Sequence, residues 1–439
     1  MFSKKELVRL LWPLIVEQIL TVLVGMVDVI MVAAVGEAAV SGVALVDSIS
    51  VLVIRLLSAL ATGGAVVSAQ YIGKQRPEET CRAAGQLISV TIICSAFFTV
   101  AALAGNRYLL GMIFGQVEDV VMQNAVIYFW LTAFSYPFLA LYNSCAALYR
   151  SMGNSKVSMM ASLAMNGMNI AGNAICIFGL KMGVEGVAIP TLVSRIFAAV
   201  LMLYLICRPG NVIRTTSLKQ LRLDRSMIQK ILIVGVPSGL ESAMFQFGKI
   251  TLQSIVSTLG TASIAGFAVA SNLVTLHYLP GNALGLGLIT IVGQCVGASE
   301  YDQAKTYIKE LLAVNYVLLF GICGVMALLC RPMVGIYNLS LEASEMARQL
   351  ILFHSCAMSV WPIAFTLPDA LRAGLDARFT MVVSVFSMWV FRIGFAYLFV
   401  KVWGFGVIGA WMGMFIDWIF RAILYGWRFR GFTNRVRQV

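Results

Sequence analysis

The sequence predicts an all-α polytopic membrane protein of about twelve transmembrane helices, arranged as two six-helix repeat lobes. Its 439 residues are 60% hydrophobic and 12% charged, whereas soluble domains average about 25% charged residues. Apolar runs of roughly 20 residues, enough to cross a hydrocarbon core of about 30 Å, recur along the whole chain. The second half also repeats the first, and we expect an approximate two-fold axis along the membrane normal to relate the two lobes.

The repeat is visible at a constant offset of 224 residues near the start of each half. Residues identical at this spacing include Pro13 and Pro237, Glu17 and Glu241, Gly36 and Gly260, Gly42 and Gly266, and Gly73 and Gly297. Further along, the stretch around Arg150 resembles the stretch around Arg372. Duplicated helical lobes are typical of membrane carriers, in which the substrate path lies between the halves. The repeat therefore predicts transport.

The apolar segments follow one another with short loops between them. Their approximate centres are Leu23, Ala59, Thr91, Ala133, Ile170, Leu201, Phe247, Gly281, Leu319, Met358, Trp389 and Phe415. The first segment follows a basic N-terminus but carries Glu17 and Asp28, so it is too polar for the core of a removable signal peptide. No run of alternating polar and apolar residues indicates a transmembrane strand.

The net charge of +12 reflects topology. With the N-terminus in the cytoplasm, most Lys and Arg residues fall in cytoplasmic loops, which predicts an integral protein of the cell (plasma or inner) membrane with both termini cytoplasmic. We divide the chain into an N-terminal lobe (1–206), a basic cytoplasmic linker (207–230), a C-terminal lobe (231–427) and a basic tail (428–439). Nucleic acid is not an expected partner.

Several classes of function are excluded by the motifs. The chain has no phosphate-binding G-x-x-x-x-G-K-[ST] sequence, so transport must be passive or driven by an ion gradient. No loop is long enough for a soluble catalytic domain, and neither a metalloprotease motif nor an aspartate-rich motif is present, so an enzyme is not expected. The nine cysteines are scattered and the chain has two histidines, which favours packing roles over metal sites. No cofactor is expected beyond a coupling ion, Na⁺ or H⁺.

Asp28 is the acid that we expect to bind the coupling ion. A charge at the bilayer centre costs about 2.5–3.5 kcal/mol, so each one needs a partner or a water-filled cavity. Asn166, Asn169 and Asn173 are spaced i, i+3, i+7 and lie on one helical stripe. Their amide oxygens and the Asp28 carboxylate are suitable Na⁺ ligands. The alternatives are a salt bridge for Asp28 and interhelical hydrogen bonds for the asparagines.

Glu17 and Glu241 each follow a proline early in the first helix of their lobe, where the helix dipole favours an acid. Glu241 also begins a stripe with Phe245 and Lys249, an arrangement that suits a cavity for amphipathic cations. Alternatively, Lys249 neutralises Glu241. His277, just before Pro280, is interpreted either as a buried, hydrogen-bonded imidazole or as a proton relay.

Other charged groups favour structural roles. Asp417 and Arg421, spaced i, i+4, predict an ion pair. Asp369 and Asp376 flank Arg372 at a helix end, where a salt bridge is the expected role. Asp47 and Arg55 lie two turns apart on the second helix and are also given a structural role.

These motifs together resemble the multidrug and toxic compound extrusion (MATE) family of cation-coupled antiporters. The resemblance spans nearly the whole chain and is carried by five stretches: Val27–Val32, Gln70–Gly73, Gly293–Ala298, Tyr301–Lys305 and Leu371–Gly374. It implies two six-helix lobes around a cleft that alternates between the membrane faces. It also implies that Asp28 is the family's helix 1 acid and that Asn169, Asn173 and Thr191 add polar groups to its site. Asn173 stands where some members carry an acid, and Gln246 lies near the position of a helix 7 acid, so the ion and its stoichiometry stay open.

The sequence thus predicts a secondary antiporter that exports small amphipathic or cationic organic compounds in exchange for Na⁺ or H⁺. Asp28, Asn169, Asn173 and Thr191 are the ion-coupling candidates, with Na⁺ held by the first three. Candidates for the substrate cleft are Glu241, Phe245, Gln246, Lys249 and His277. The alternative is a flippase for lipids or lipid-linked oligosaccharides, which Lys249 and Arg392 favour because it needs a cationic cleft. Contacts with membrane lipids and a monomeric state are expected.

Overall fold

The chain folds into helices joined by short turns. The computed structural model describes residues 2–115, 118–208, 210–213, 222–337 and 339–437, and no strand occurs in these ranges. Parts of the predicted linker (209 and 214–221) and of the predicted tail (438–439) lie outside the described residues. The described structure is therefore all-α, as predicted.

The first half contains six long helices: α1 (Lys4–Ala33), α2 (Glu37–Gly73), α3 (Pro77–Phe114), α4 (Asp119–Ser151), α5 (Ser155–Ala174) and α6 (Glu185–Ile206). A short π-helical segment, Ile175–Gly179, extends α5. The second half has more interruptions. Its helices are α7 (Arg225–Ser257), α8 (Thr261–Leu273), α9 (Leu279–Gly297), α10 (Tyr301–Gly335), α11 (Leu341–Ala357), α12 (Leu367–Ala373), α13 (Ala377–Phe386), α14 (Gly394–Tyr397), α15 (Gly406–Arg430) and α16 (Phe432–Val436).

Short segments of other helical geometry join several of these helices. A 3₁₀ segment, Val274–Tyr278, connects α8 to α9. The π-helical segments are Pro362–Thr366 before α12, Ser387–Ile393 before α14 and Leu398–Val402 after it. Most of these irregular segments therefore lie in the second half of the chain.

Within the described residues, 10 helical segments are long and apolar enough to cross a membrane, or up to 11 if a bent pair counts as one span. The sequence predicted about twelve. The segment around Ile170 is absent from the count because the asparagines of α5 lower its hydropathy. The segment around Met358 is the bent pair, in which α11 and Pro362–Ala373 meet at 70°. The chain is an integral membrane protein with 10 to 11 candidate spans.

The duplication is also visible in the backbone. Gly36 and Gly260 precede α2 and α8 with φ values of 136° and 96°, a region that favours glycine. Gly42 and Gly266 each lie where a neighbouring helix comes so close that a Cβ would be 2.9 Å from its backbone. The repeated glycines therefore serve the same two purposes in both halves, a helix start and a close helix crossing.

The chain divides into two compact units, Phe2–Gly239 and Leu240–Val439, apart from the first residue. We call them the N-terminal unit and the C-terminal unit. The end of the predicted linker packs on α3 of the N-terminal unit, where the Gln86 side chain bonds the carbonyl of Arg222 at 2.6 Å and the amide of Asp224 at 2.9 Å. Arg82 adds an ion pair to Asp224 at 2.6 Å.

Candidate functional site

Asp28 lies near the end of α1, against α5. The Asn173 side chain donates a hydrogen bond from Nδ2 to Asp28 Oδ1 at 3.0 Å. Asp28 is half-buried, and Asn173 is fully buried. The acid therefore has a buried amide as its direct partner in the membrane interior.

The other two ion-coupling candidates continue this contact into a chain of hydrogen bonds. Asn173 Nδ2 lies 3.4 Å from Asn169 Oδ1, and Asn169 Nδ2 donates to Thr191 Oγ1 at 3.0 Å. The Thr191 hydroxyl donates to the carbonyl of Val187 at 2.8 Å. Asn166 is not part of the chain, because its Nδ2 lies 3.3 Å from Ser162 Oγ. The structure thus brings together Asp28, Asn169, Asn173 and Thr191 from three helices.

One oxygen in this group has no partner. Asn173 Oδ1 is buried and makes no hydrogen bond. Buried acceptors are almost always paired, so a cation or a hydrogen-bond donor would be favourable at this oxygen. Carboxylate, carbonyl and amide oxygens are the ligands that hard cations prefer. The unpaired oxygen next to a carboxylate therefore has the chemistry of a small-cation ligand.

Two charged residues beside this group were not among the sequence candidates for the ion site. Arg195 on α6 interacts electrostatically with both Asp28 and Asp47, and it donates to Ser135 Oγ at 2.5 Å. Asp47 on α2 is hydrogen-bonded to the Tyr128 hydroxyl. The signal for Arg195 was present in the sequence as a charge inside an apolar segment, but its partners come from distant positions.

The charges in this cluster do not balance. Asp28 and Asp47 carry two negative charges when ionised, and Arg195 carries one positive charge, which leaves one negative charge uncompensated. Asp28 and Arg195 are half-buried and Asp47 is exposed, and a charge that lies inside a membrane without compensation is costly. The cluster of Asp28, Asp47, Asn169, Asn173, Thr191 and Arg195, here called the α1–α5 site, is therefore suited to one monovalent cation.

Glu17 has structural partners in the same unit. Its carboxylate lies 3.5 Å from Arg150 Nη1 and accepts a hydrogen bond from Ser158 Oγ at 3.0 Å. Arg150, in the last turn of α4, belongs to the stretch that resembles the one around Arg372 in the second half. The arrangement is an ion pair between the middle of α1 and the end of α4. Because α1 begins at Lys4 and α7 at Arg225, neither Glu17 nor Glu241 lies in a first helical turn, and the expected role of the helix dipole was wrong.

Glu241 has the matching arrangement in the C-terminal unit. It pairs with Arg372 at 2.7 Å and accepts a hydrogen bond from Ser384 at 2.6 Å. Arg372 also pairs with Asp369 at 2.5 Å. Arg372 is therefore an ion-pair partner of Glu241. The sequence had already shown Arg150 and Arg372 as matching residues of the two repeats.

A second buried ion-pair group adjoins Glu241. Asp417 lies 2.7 Å from both Arg392 and Arg421, which includes the predicted i, i+4 pair. Arg421 also donates to Ser384 Oγ at 3.1 Å, which connects the group to Glu241. With Arg372 and Asp369, the connected network holds three acids and three arginines. It is balanced, in contrast to the α1–α5 site.

The remaining candidates on α7 lie beside this network. The Phe245 ring centroid is 5.1 Å from the Arg392 guanidinium and 5.9 Å from that of Arg421. Lys249 Nζ is 6.0 Å from the same ring, and its side chain is exposed. Gln246 is half-buried. Phe245 thus packs on arginines that already have carboxylate partners.

His277, the last candidate, is fully buried and contacts the second histidine of the chain. Its Nδ1 lies 3.0 Å from His354 Nδ1. The sequence had not singled out His354, because the two residues are far apart in the chain.

Comparisons with known proteins agree with the architecture. The sequence model of the MatE family matches residues 13–175 and 237–398, so one family model fits both halves. The Uncharacterized transporter YisQ of Bacillus subtilis is 25% identical over 431 residues, 97% of this chain and 94% of that protein. The Probable multidrug resistance protein NorM of Thermotoga maritima is 25% identical over 434 residues, covering 96% and 91%. A solved multidrug resistance MATE family transporter in an outward-facing conformation superposes with a TM-score of 0.93 at 20% identity, covering 99% and 97% of the two chains.

Proposed function

Because this chain belongs to the MatE family of membrane transporters, we propose that it is a secondary antiporter that exports amphipathic, often cationic, organic compounds in exchange for Na⁺ or H⁺. It is a transporter and not an enzyme. The coupling ion binds at the α1–α5 site, with Asp28 as the group that it neutralises. Two six-helix lobes carry out the transport cycle, with both termini in the cytoplasm and one chain as the working unit.

The observation that carries this proposal is the combination of an uncompensated negative charge with an unpaired buried oxygen. One monovalent cation beside Asp28 would balance the site. It would also give Asn173 Oδ1 a partner, since that oxygen makes no hydrogen bond. Asn169 and Thr191 hold the amide of Asn173 in place through the hydrogen-bonded chain.

The two ions would satisfy the site in different ways. Na⁺ would be coordinated by the Asp28 carboxylate and by amide and hydroxyl oxygens, and Asn173 Nδ2 would keep its role as a donor. A proton on Asp28 would turn the carboxylate into a hydrogen-bond donor. The Asn173 amide would then rotate to present Oδ1. In both cases the outer half of α1 repacks against α5, and coupling follows because ion and substrate favour different conformations.

The substrate class rests on the family and on relatives whose names specify multidrug resistance. In an antiporter, the substrate and the coupling cation must not be bound at the same time. A positively charged substrate repels that cation, which favours this exclusion. Amphipathic organic cations meet this condition and also partition into the membrane, where membrane lipids surround the transporter.

The flippase alternative has less support. It needs a cationic cleft, and it rested on Lys249 and Arg392. The Arg392 guanidinium lies 2.7 Å from Asp417 and is 4% exposed, so its charge is already compensated. Lys249 alone is weak support for binding a pyrophosphate.

The test is ATP-free uptake of a fluorescent lipophilic cation into proteoliposomes, with Na⁺ and pH gradients imposed separately. Uphill uptake driven by one gradient is expected and would identify the ion. If neither gradient drives uptake in a folded preparation, antiport is refuted. Labelled lipid substrates in the same vesicles would then test the flippase.

A further inference from the structure

The two histidines of this chain form a hydrogen-bonded pair of nearly parallel rings inside the C-terminal unit. Both are fully buried, their ring centroids are 5.0 Å apart, and their planes differ by 14°. His277 Nδ1 lies 3.0 Å from His354 Nδ1. Because two unprotonated or two protonated nitrogens repel at this distance, one proton must lie between the rings.

Their hydrogen bonds define which ring carries that proton. The Ser355 hydroxyl donates to the carbonyl of Ile351 at 2.9 Å, so its oxygen accepts from His277 Nε2 at 3.4 Å. His277 therefore carries its proton on Nε2 and accepts at Nδ1. His354 then donates from Nδ1 and accepts at Nε2 from the Tyr278 hydroxyl, at 2.8 Å. The chain from Tyr278 to Ser355 is complete when both rings are neutral.

The pair lies where two helices of the C-terminal unit are interrupted. His277 is in the 3₁₀ segment Val274–Tyr278 between α8 and α9. His354 is in the last turn of α11, just before the 70° bend toward α12. Mid-helix 3₁₀ segments often mark hinges. The pair therefore ties two candidate hinges together.

The N-terminal unit has no such device. At the offset of 224 residues, Val53 stands at the position of His277, and α2 runs without interruption from Glu37 to Gly73. No histidine precedes His277 in the sequence. The breaks and the histidine pair are therefore features of the C-terminal unit that the matching part of the N-terminal unit lacks.

An added proton has no satisfactory position in the pair. On His277 Nδ1 it would set two N–H groups against each other at 3.0 Å. On His354 Nε2 it would displace the Tyr278 hydroxyl proton. Among the described residues, no acid contacts either ring to stabilise a positive charge.

The charged and aromatic groups around the pair also oppose the addition of a proton. Arg392 is the cation that acts electrostatically on His354 and Tyr278, and its charge opposes another positive charge nearby. The rings of Trp411 and Trp418 on α15 lie 5.3 Å from His354. The other charged groups on the elements packed around the pair are the Asp417–Arg421 ion pair of α15 with Arg428 and Arg430 in its last turn, the Glu345–Arg348 ion pair and Glu342 of α11, and Asp302, Lys305, Lys309, Glu310 and Arg331 toward the ends of α10. Neither α8 nor α9 contains a charged residue.

We propose that His277 and His354 form a proton-responsive lock, which holds the two interrupted helices together while both rings are neutral and releases them when one ring gains a proton. The ligand of this site is a proton, bound separately from the ion at Asp28. The proposal goes beyond antiport and does not depend on which ion the α1–α5 site binds.

The test uses the full chain in lipid nanodiscs, with ¹⁵N-labelled histidine and an affinity tag free of histidine. Because the chain has 2 histidines, every imidazole signal comes from the lock. At neutral pH we expect one ring protonated at Nδ1 and the other at Nε2, and on stepwise acidification both rings should change in one transition. Two rings in the same tautomer, or two independent titrations, would overturn the lock.

Hydrogen exchange tests release of the hinges. In the unmodified chain, exchange of amides 274–281 and 354–361, corrected for the intrinsic effect of pH, should rise about tenfold on acidification, as expected when a hydrogen bond is lost. His354→Gln should remove this response because its side chain cannot gain the proton. Unchanged exchange in the unmodified chain would refute release.

If His354→Gln does not fold, a milder substitution still tests the proposal. Tyr278→Phe removes only the donor to His354 Nε2 and should shift the ¹⁵N signal of that nitrogen, while the tautomer, which His277 sets, stays the same. The matched control is Tyr136→Phe, which removes another buried tyrosine hydroxyl, 2.9 Å from Ser50 Oγ in the N-terminal unit. The control should leave both histidine signals unchanged, and equal effects of the two changes would contradict the assignment. These measurements need no substrate, so a failure of antiport leaves them interpretable.

Discussion

Replacing Asp28 by Asn removes the charge that we expect the coupling ion to neutralise. At an effective dielectric constant of about 20, two unit charges about 4 Å apart attract by about 4 kcal/mol. Asp28 is half-buried, so solvent screens part of this attraction, and we take about half of it, 2 kcal/mol. The variant should therefore bind the cation about thirtyfold more weakly.

The fold should survive this substitution. The side-chain carbonyl of the introduced amide can still accept the hydrogen bond from Asn173, and Arg195 then balances Asp47. Without Asp28, a bound cation would leave the site with a net positive charge, which is unfavourable in a membrane interior. We therefore expect cation binding, and with it coupled uptake, to fail while the protein stays folded.

The assay is equilibrium binding of the cation identified by gradient-driven uptake, followed by uptake itself in proteoliposomes. For Na⁺, binding is measured with the radioactive ion. For H⁺, it is measured as proton release when substrate is added. Asp119→Asn, the same change at an exposed acid at the start of α4, is the control and should have little effect. A folded Asp28→Asn variant with unchanged binding and uphill uptake would refute the ion site.

Three further predictions concern the site and its support. Asn173→Ala removes the unpaired oxygen and should weaken cation binding about tenfold, whereas Asn166→Ala, outside the hydrogen-bonded chain, should not; equal effects in the binding assay would contradict the geometry. Arg372→Ala leaves Glu241 and its neighbouring acid without their partner and should destabilise the protein by about 3–5 kcal/mol, seen as a clear drop in the thermal unfolding temperature in detergent, and an unchanged temperature would mean that the ion pair is not structural. Gly281→Ala places a Cβ against the ring of Trp361 and should cost about 1–3 kcal/mol in the same measurement, with Gly321→Ala, which has open space around it, as the control.

Much of the fold could be predicted because its signals are local in the sequence. Hydropathy over a single segment predicts a membrane helix, and the offset of 224 residues predicted the two matched halves. The number of spans was predicted less accurately, at about twelve against 10 to 11 candidate spans among the described residues. The polar stripe on α5 lowers hydropathy for the same reason that it makes a site, and the bend after α11 depends on packing that no single segment specifies.

The candidate site was predicted in part. Asn169 and Asn173 share a stripe because helical spacing places them there, and the carboxylate of Asp28 stood out as a charge among apolar residues. The role of Asn166 in that stripe was not predictable, since its bond to Ser162 depends on a rotamer. Arg195 was visible only as an isolated charge, because nothing in one helix indicates which acid of another helix it will meet.

By itself the sequence determined the class of protein, the repeat and the types of residue inside the membrane, because each of these depends on composition and spacing along one segment. Only the tertiary structure decided the pairings, in which Glu241 meets Arg372, Arg195 serves two acids, and His277 meets His354. These partners are separated by many residues, and the distance between their atoms is set by how the helices pack. Packing therefore decided which charges are balanced, and it left Asp28 and Asp47 with one arginine, Arg195, between them.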